Sequence, residues 1–201
     1  IFKNFKFDYG TGGIHGCIKP GIYEYDNQYI ILDADVASLY PFLAILLELY
    51  PEHLGKSFIK VYKSILEQRI IAKKNGDKAV NEGLKLALNG SYGKSSDKNS
   101  FLYDPKFTMA ITVNGQLFLS MLSEVLGEIS SLQFLQINTD GITVKLLKSN
   151  LEKYYSICKQ WEKYTGLNLE FVEYKKMIIN DVNNYIAVKF NDSVKYKGLF
   201  E

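Results

Sequence analysis

Residues 136–144, QINTDGITV, read as an apolar strand, a tight turn and a second apolar strand. Asn, Asp and Gly suit such a turn because they tolerate positive φ, and Asp-Gly alone is enough to close a hairpin. Asp140 therefore has two readings, a solvated turn residue or a functional carboxylate at a hairpin tip. Upstream, QYIILDADVASLYP at residues 28–41 carries a strand. Its alternation sets Ile31, Asp33 and Asp35 on one face and Ile30, Leu32, Ala34 and Val36 on the other. Carboxylates on an apolar strand face are costly unless water, a cation or a metal compensates them. A half-exposed strand with solvated Asp residues is the plain alternative. If this strand pairs with the 136–144 hairpin, Asp35 and Asp140 converge on one sheet edge. Convergent carboxylates without a fixed cation suit a hard divalent ion that completes its shell with substrate phosphates.

Between these segments the period changes from strand to helix. Ser57 to Lys74 reads as an amphipathic helix with Phe58, Val61, Tyr62, Ile65 and Leu66 as its apolar side. Arg69, the only arginine in the chain, and Lys73 share a face one turn apart. KNGD at 74–77 breaks that helix, and a second runs from about Lys78 to Ser91. It aligns Lys85, Asn89 and Tyr92 in one stripe and turns Leu84 and Leu88 to packing. Gly90 and Gly93 either admit something close to the backbone or simply end the helix. Residues 100–112 read as strand or loop. Residues 113–129 follow as a helix with a core stripe of Val113, Leu117, Met121, Leu122, Val125 and Ile129. A further helix begins near Ser149 or Asn150 and presents Leu151, Tyr155, Cys158 and Trp161. Strand pairs with turns at NDVNN and FNDSV close the chain, and the glycine-dense stretch at 8–16 is a loop or tight turn. The expected class is α+β, an antiparallel sheet backed by helices with a short two-helix insertion.

Bulk properties narrow the partners little. The 201 residues are 47% hydrophobic and 23% charged, as in an ordinary globular protein. A net charge of +2 neither demands nor excludes nucleic acid. Two cysteines far apart and two histidines give no zinc pattern and no disulfide framework, so a reducing compartment is expected. The apolar run FLAILLELY at 42–50 is short and interrupted by Glu48, so no membrane span is expected. A chain that begins at Ile1 and stops at KGLFE reads as a piece of something longer.

At the level of motifs the chain resembles the palm and fingers of a family B DNA polymerase of the phage or plasmid kind. DVASLYP at 35–41 is similar to the family's motif A, Asp-x-x-Ser-Leu-Tyr-Pro, at every fixed position. KLALNGSYG at 85–93 resembles motif B, with Gly90 where Ser is usual. NTDG at 138–141 resembles motif C, Asp-Thr-Asp-Ser, with Asn138 and Gly141 as departures. TVNGQ at 112–116 is similar to Thr-x-x-Gly-Arg with Gln116 in place of Arg, and GTGGIHG at 10–16 resembles the Gly-Gly linker motif. The family's Lys-x-Tyr motif is best matched by NNYIA, where Asn183 replaces Lys and Tyr185 is kept.

The resemblance implies template-directed DNA synthesis with two Mg²⁺ ions, or Mn²⁺ in their place. Asp35, Asp140 and the Val36 carbonyl become metal ligands. Ser38, Leu39, Arg69, Lys73 and Lys85 meet the triphosphate, with Lys85 also protonating the leaving pyrophosphate. Tyr40 excludes a 2′-hydroxyl, while Asn89 and Tyr92 line the nascent base pair. Primer–template DNA falls to Gly12, Gly13, Thr112, Gly115, Tyr185, Lys195 and Lys197, with Lys195 or Lys197 making up for Asn183. Asp33 adds negative charge near Asp35, an inference from the strand face and not a family feature. The implied layout is palm with motif A over 1–55, fingers with motif B over 56–95, and the remaining palm over 96–201. The implied partners are dNTPs and the exonuclease and thumb portions of a longer polymerase, in the cytoplasm of the host if the gene is a phage's. A catalytically silent palm module that binds DNA or a replication partner is the second reading. An RNA-making palm enzyme is the third, disfavoured by Tyr40 and motif B.

Overall fold

The computed structural model describes residues 1–201 and divides into two compact units. A sheet unit comprises Ile1–Ala37 and Gln116–Glu201, and a helical unit comprises Ser38–Gly115. The helical unit is thus wider than the 56–95 insertion expected from the helix pair, because it also takes in the segment after motif A and the residues leading to Gly115.

The sheet unit holds nine strands: β1 (Asp8–Gly10), β2 (Gly13–Cys17), β3 (Gly21–Glu24), β4 (Tyr29–Val36), β5 (Gln133–Asn138), β6 (Gly141–Leu147), β7 (Leu169–Ile179), β8 (Tyr185–Lys189) and β9 (Val194–Lys197). They form one antiparallel sheet in the order β1-β2-β5-β6-β4-β7-β8-β9, with β3 on β7. Strand β4 lies between β6 and β7, so both its edges are paired, and Ile31 on one face and Leu32 and Ala34 on the other are fully buried. One face packs Leu32, Ala34, Ile142, Val144 and Leu146. Helix α5 (Leu151–Thr165) lies on that face, with the Tyr154 and Tyr155 rings edge-on to Phe171 of β7. The other face carries a smaller core of Ile31, Leu135, Tyr174, Met177, Ile179, Tyr185 and Ala187. Asp33 and Asp35 belong to this second face, opposite Val172 and Glu170 of β7.

The helical unit is built from α1 (Leu39–Leu46), α2 (Ser57–Lys74), α3 (Lys78–Lys94) and the start of α4 (Pro105–Leu126). Gly76, at φ 72°, turns the chain between α2 and α3, and Asp77 caps α3 by accepting from the Val80 N–H at 3.1 Å. The buried Tyr62 hydroxyl donates to the Leu88 carbonyl at 2.7 Å, tying α2 to α3. Helix α3 continues through Gly90 and Gly93 to Lys94, past the expected end at Ser91.

Helix α4 corrects two expectations. It begins at Pro105, so the stretch from Pro105 to Ile111 is helix and not strand. Asp104 caps it, accepting from the Phe107 N–H at 3.0 Å, with Pro105 as the first helical residue, where a missing N–H costs nothing. Its buried apolar side chains are Phe107, Ile111, Leu119, Leu122 and Leu126, whereas Val113, Leu117 and Val125 of the expected core stripe are exposed. Met121 and Val125 instead line a cavity of about 530 Å³ with Ile157, Trp161 and Tyr164. By length and composition α4 is also the one helix apolar enough to cross a membrane. Trp161 Nε1 donates to its Phe118 carbonyl at 3.0 Å.

Candidate active site

In the sheet unit the acidic residues gather where β4 ends beside the β5–β6 hairpin. Asp35 pairs with Gly141, and the Val36 N–H donates to the Asp140 carbonyl at 2.7 Å. The positive φ of this turn falls on Thr139, at 60°, and not on Asp140 or Gly141. A β-branched residue there is strained. It is held by its N–H on the Ile14 carbonyl at 2.8 Å and by its hydroxyl against His15 Nε2 at 3.1 Å. Gly141 serves space instead of turn geometry, because a Cβ at that position would overlap Asp35 Oδ1. Asp140 is exposed and Val36 is buried at the strand end.

The electrostatics of this edge are those of crowded like charges. Burial, then the Asp33 and Asp140 carboxylates, push the Asp35 pKa up to about 7, with Lys195 opposing and Glu170 adding to the rise. Asp33 is 5% exposed, and so is not a solvated strand residue; Thr143 Oγ1 donates to its Oδ1 at 2.6 Å and the Tyr174 hydroxyl to its Oδ2 at 3.1 Å. Glu170 stands directly across from Asp35 and shares its face, a carboxylate that periodicity along one strand could not reveal. No group of three His, Cys, Asp or Glu side chains forms a metal cage. The residues fit a divalent ion held by paired carboxylates, with the remaining ligands from water and phosphate. The crowding at Asp35 and the room left by Gly141 support that fit. Asn138 faces the β7–β8 loop, its amide donating to the Val182 carbonyl at 3.2 Å, a bond no carboxylate could make.

In the helical unit the predicted nucleotide residues form a second set. Ser38 adopts φ 53° and ψ 48° at the start of α1, and its hydroxyl does not cap the helix. It accepts instead from Arg69 Nη1 at 2.5 Å, while Arg69 Nε donates to Asn81 Oδ1 at 3.3 Å. The lone guanidinium is thereby fixed between α1 and α3 by neutral partners; Asn81 carries no motif signal that would single it out for this role. Leu39 opens α1, whose first-turn N–H groups have no acceptors within the helix. The Tyr40 and Tyr92 rings lie 4.2 Å apart at 38°, and the Tyr92 hydroxyl pairs with Thr112 Oγ1 at 2.7 Å. Lys73, Lys85 and Asn89 are exposed. A Cβ on Gly90 or Gly93 would meet nothing, so these glycines neither end α3 nor yield to a protein neighbour.

Several residues expected at DNA are placed differently. Thr112 and Gly115 are buried; Thr112 holds Tyr92, and Gly115 lies under Leu39, Leu43 and Tyr40, which a Cβ would touch at 3.4–3.6 Å. Both therefore lie behind the tyrosines. Gln116 Nε2 donates to the carbonyls of Gly10 at 2.6 Å and Gly13 at 2.9 Å, clasping the glycine loop. Gly12 is exposed and Gly13 buried. Tyr185 is 7% exposed with Lys195 Nζ 5.7 Å from its ring centroid, while Lys197 is exposed and paired with Glu201 at 2.9 Å.

Antiparallel sheet, helices on one face and an acidic hairpin at the strand ends together define a palm-like α+β domain. The chain is similar in fold to the family B DNA polymerase of the hyperthermophilic archaeon Pyrobaculum calidifontis, with a TM-score of 0.65 at 15% identity. The likeness covers 98% of this chain and 29% of the archaeal one. No family model and no curated protein matches the sequence.

Proposed function

We propose that the chain is the catalytic core of a template-directed DNA polymerase of the phage or plasmid kind. The reading rests above all on the pairing of β4 with the β5–β6 hairpin, which sets motif-A Asp35 opposite Gly141 of the motif-C turn. The primer 3′-oxygen attacks the α-phosphorus of a dNTP, the bond to the β-phosphate breaks, and pyrophosphate leaves. Asp35, Asp140 and the Val36 carbonyl are the residues that would hold Mg²⁺ or Mn²⁺. Such ions, when bound, neutralise the charge that builds on the phosphoryl oxygens.

The remaining roles belong to the chain itself. Arg69, pre-set by Ser38 and Asn81, binds the triphosphate together with Lys73 and the N–H groups of Ser38 and Leu39. Lys85 binds the same group and gives its proton to the departing pyrophosphate. Asn89 and Tyr92 line the new base pair, and the open space over Gly90 and Gly93 admits it to the backbone. The Tyr40 ring, braced by Tyr92, blocks a 2′-hydroxyl by steric exclusion, which penalises the ribonucleotide without binding the deoxynucleotide any more tightly. Gly12, Gly13, Tyr185, Lys195 and Lys197 meet primer–template DNA. Most of the rate enhancement then comes from positioning and charge complementarity. Exonuclease and thumb portions of a longer polymerase are the protein partners, and the host cytoplasm the compartment.

Primer extension with Mg²⁺ and dNTPs tests this. Extension by the parent and its loss in Asp35→Ala and Asp140→Ala is expected. A parent chain that binds primer–template without extending it would move the assignment to a silent DNA-binding palm.

A further inference from the structure

On the acidic face of the sheet a polar chain crosses consecutive strands. In the order β6, β4, β7, β8 and β9, each contributes one residue: Thr143, Asp33, Tyr174, Tyr185 and Lys195. Thr143 and Tyr174 donate to the two Asp33 oxygens at 2.6 and 3.1 Å. Tyr174 and Tyr185 belong to one packed cluster, and the Lys195 ammonium lies 5.7 Å from the Tyr185 ring centroid. Thr143, Asp33, Tyr174 and Tyr185 are each no more than 7% exposed.

A carboxylate this enclosed has two neutral donors and needs a cation. Four lysines of these strands are committed elsewhere: Lys145 to Asp26, Lys175 to Asp192, Lys176 to Glu24 and Lys197 to Glu201. Lys189 stands across from Tyr174, and Lys195 reaches the Tyr185 ring. Burial works against its charge, yet Tyr185, Asp33 and Asp35 together hold its pKa above the ordinary lysine value.

We infer that Asp33 and Lys195 are a positioning pair: Asp33, through the two tyrosines, fixes the Lys195 ammonium beside the acidic edge, where it meets a DNA phosphate. The DNA role of the pair rests on the polymerase reading above. Asp33 touches no ligand and acts through Lys195.

A melting cycle without divalent ions tests the pair. Asp33→Asn and Lys195→Met are each expected to lower Tm by roughly 6–12 °C, because each leaves a buried polar partner uncompensated. The double variant melts no lower than the worse single; additive losses overturn the pair, and so does an unchanged Tm in both singles. Should Asp33→Asn not fold, Tyr174→Phe replaces it in the cycle. The second arm is the affinity for a labelled primer–template by anisotropy. Lys195→Met and Asp33→Asn each weaken it about 10-fold, Lys195→Arg restores it, and Lys195→Met reduces the slope of log Kd on log salt by about one. Coupled melting with unchanged DNA affinity overturns the positioning role. A parent that does not bind primer–template overturns the polymerase reading and that role with it, while the melting cycle still decides the pair.

Discussion

At the end of β4 carboxylates crowd one another, whereas in the helical unit a lone guanidinium sits between a serine hydroxyl and an asparagine carbonyl. At the edge, burial and neighbouring carboxylates raise the Asp35 pKa. In the helical unit, Arg69 is held by two neutral partners. The contrast follows from how each is built. Neighbouring strands bring like side chains together at fixed spacing, while packed helices let each residue choose a partner one turn or one helix away. An edge under charge stress binds metal readily at the expense of stability; a neutral-braced cation is pre-organised without that expense.

The largest effect expected is on chemistry. Removing either carboxylate of the edge, in Asp35→Ala or Asp140→Ala, should slow primer extension by about 10³-fold or more, judged by the worth of charge stabilisation at such sites. Full activity in either would break the assignment of that edge to the reaction.

Stability should move the other way. The Asp35 carboxyl keeps its proton up to about pH 7 in the fold, well above its ordinary range. The folded state therefore binds the extra proton between about pH 4 and 7, and its advantage is lost as pH rises through 7. Asp35→Asn should match the parent below that window. At pH 8 in chelator it should be more stable by up to about 4 kcal/mol, read by urea unfolding. A variant less stable than the parent at pH 8 would remove the charge stress from the comparison.

On the helical side, Tyr40→Ala should relax rejection of ribonucleotides by roughly 10- to 100-fold, the range set by one steric element. Competition between dNTP and rNTP in single-nucleotide insertion measures it, and unchanged selectivity would take the gate away from Tyr40. Ser38→Ala should free Arg69 and raise the KM for dNTP about 10-fold, with melting nearly unchanged. Smallest of all, Gly90→Ala should stabilise α3 by about 1 kcal/mol, since a Cβ there meets nothing. A gain in Tm with weaker nucleotide binding would show that the open space is used.

Much of this was legible in residues close along the chain. Period-2 alternation fixed which β4 residues share a face with Asp35, and the apolar–turn–apolar pattern gave the β5–β6 hairpin that pairs with it. Helix period and KNGD gave α2 and α3 and the stripe of Lys85, Asn89 and Tyr92. These are local properties, set by backbone sterics and by which side of an element is apolar. The buried side of α4 escaped because apolar residues lie on more than one of its faces, so periodicity could not choose among them. Only the tertiary structure decided that choice. It also decided that Glu170 faces Asp35, that Gly141 clears space for a carboxylate, and that Thr143, Asp33, Tyr174, Tyr185 and Lys195 line up across strands far apart in sequence. The physical reason is register: cross-strand neighbours are selected by burying whole faces at once, and a slip of one residue turns every side chain to the other side.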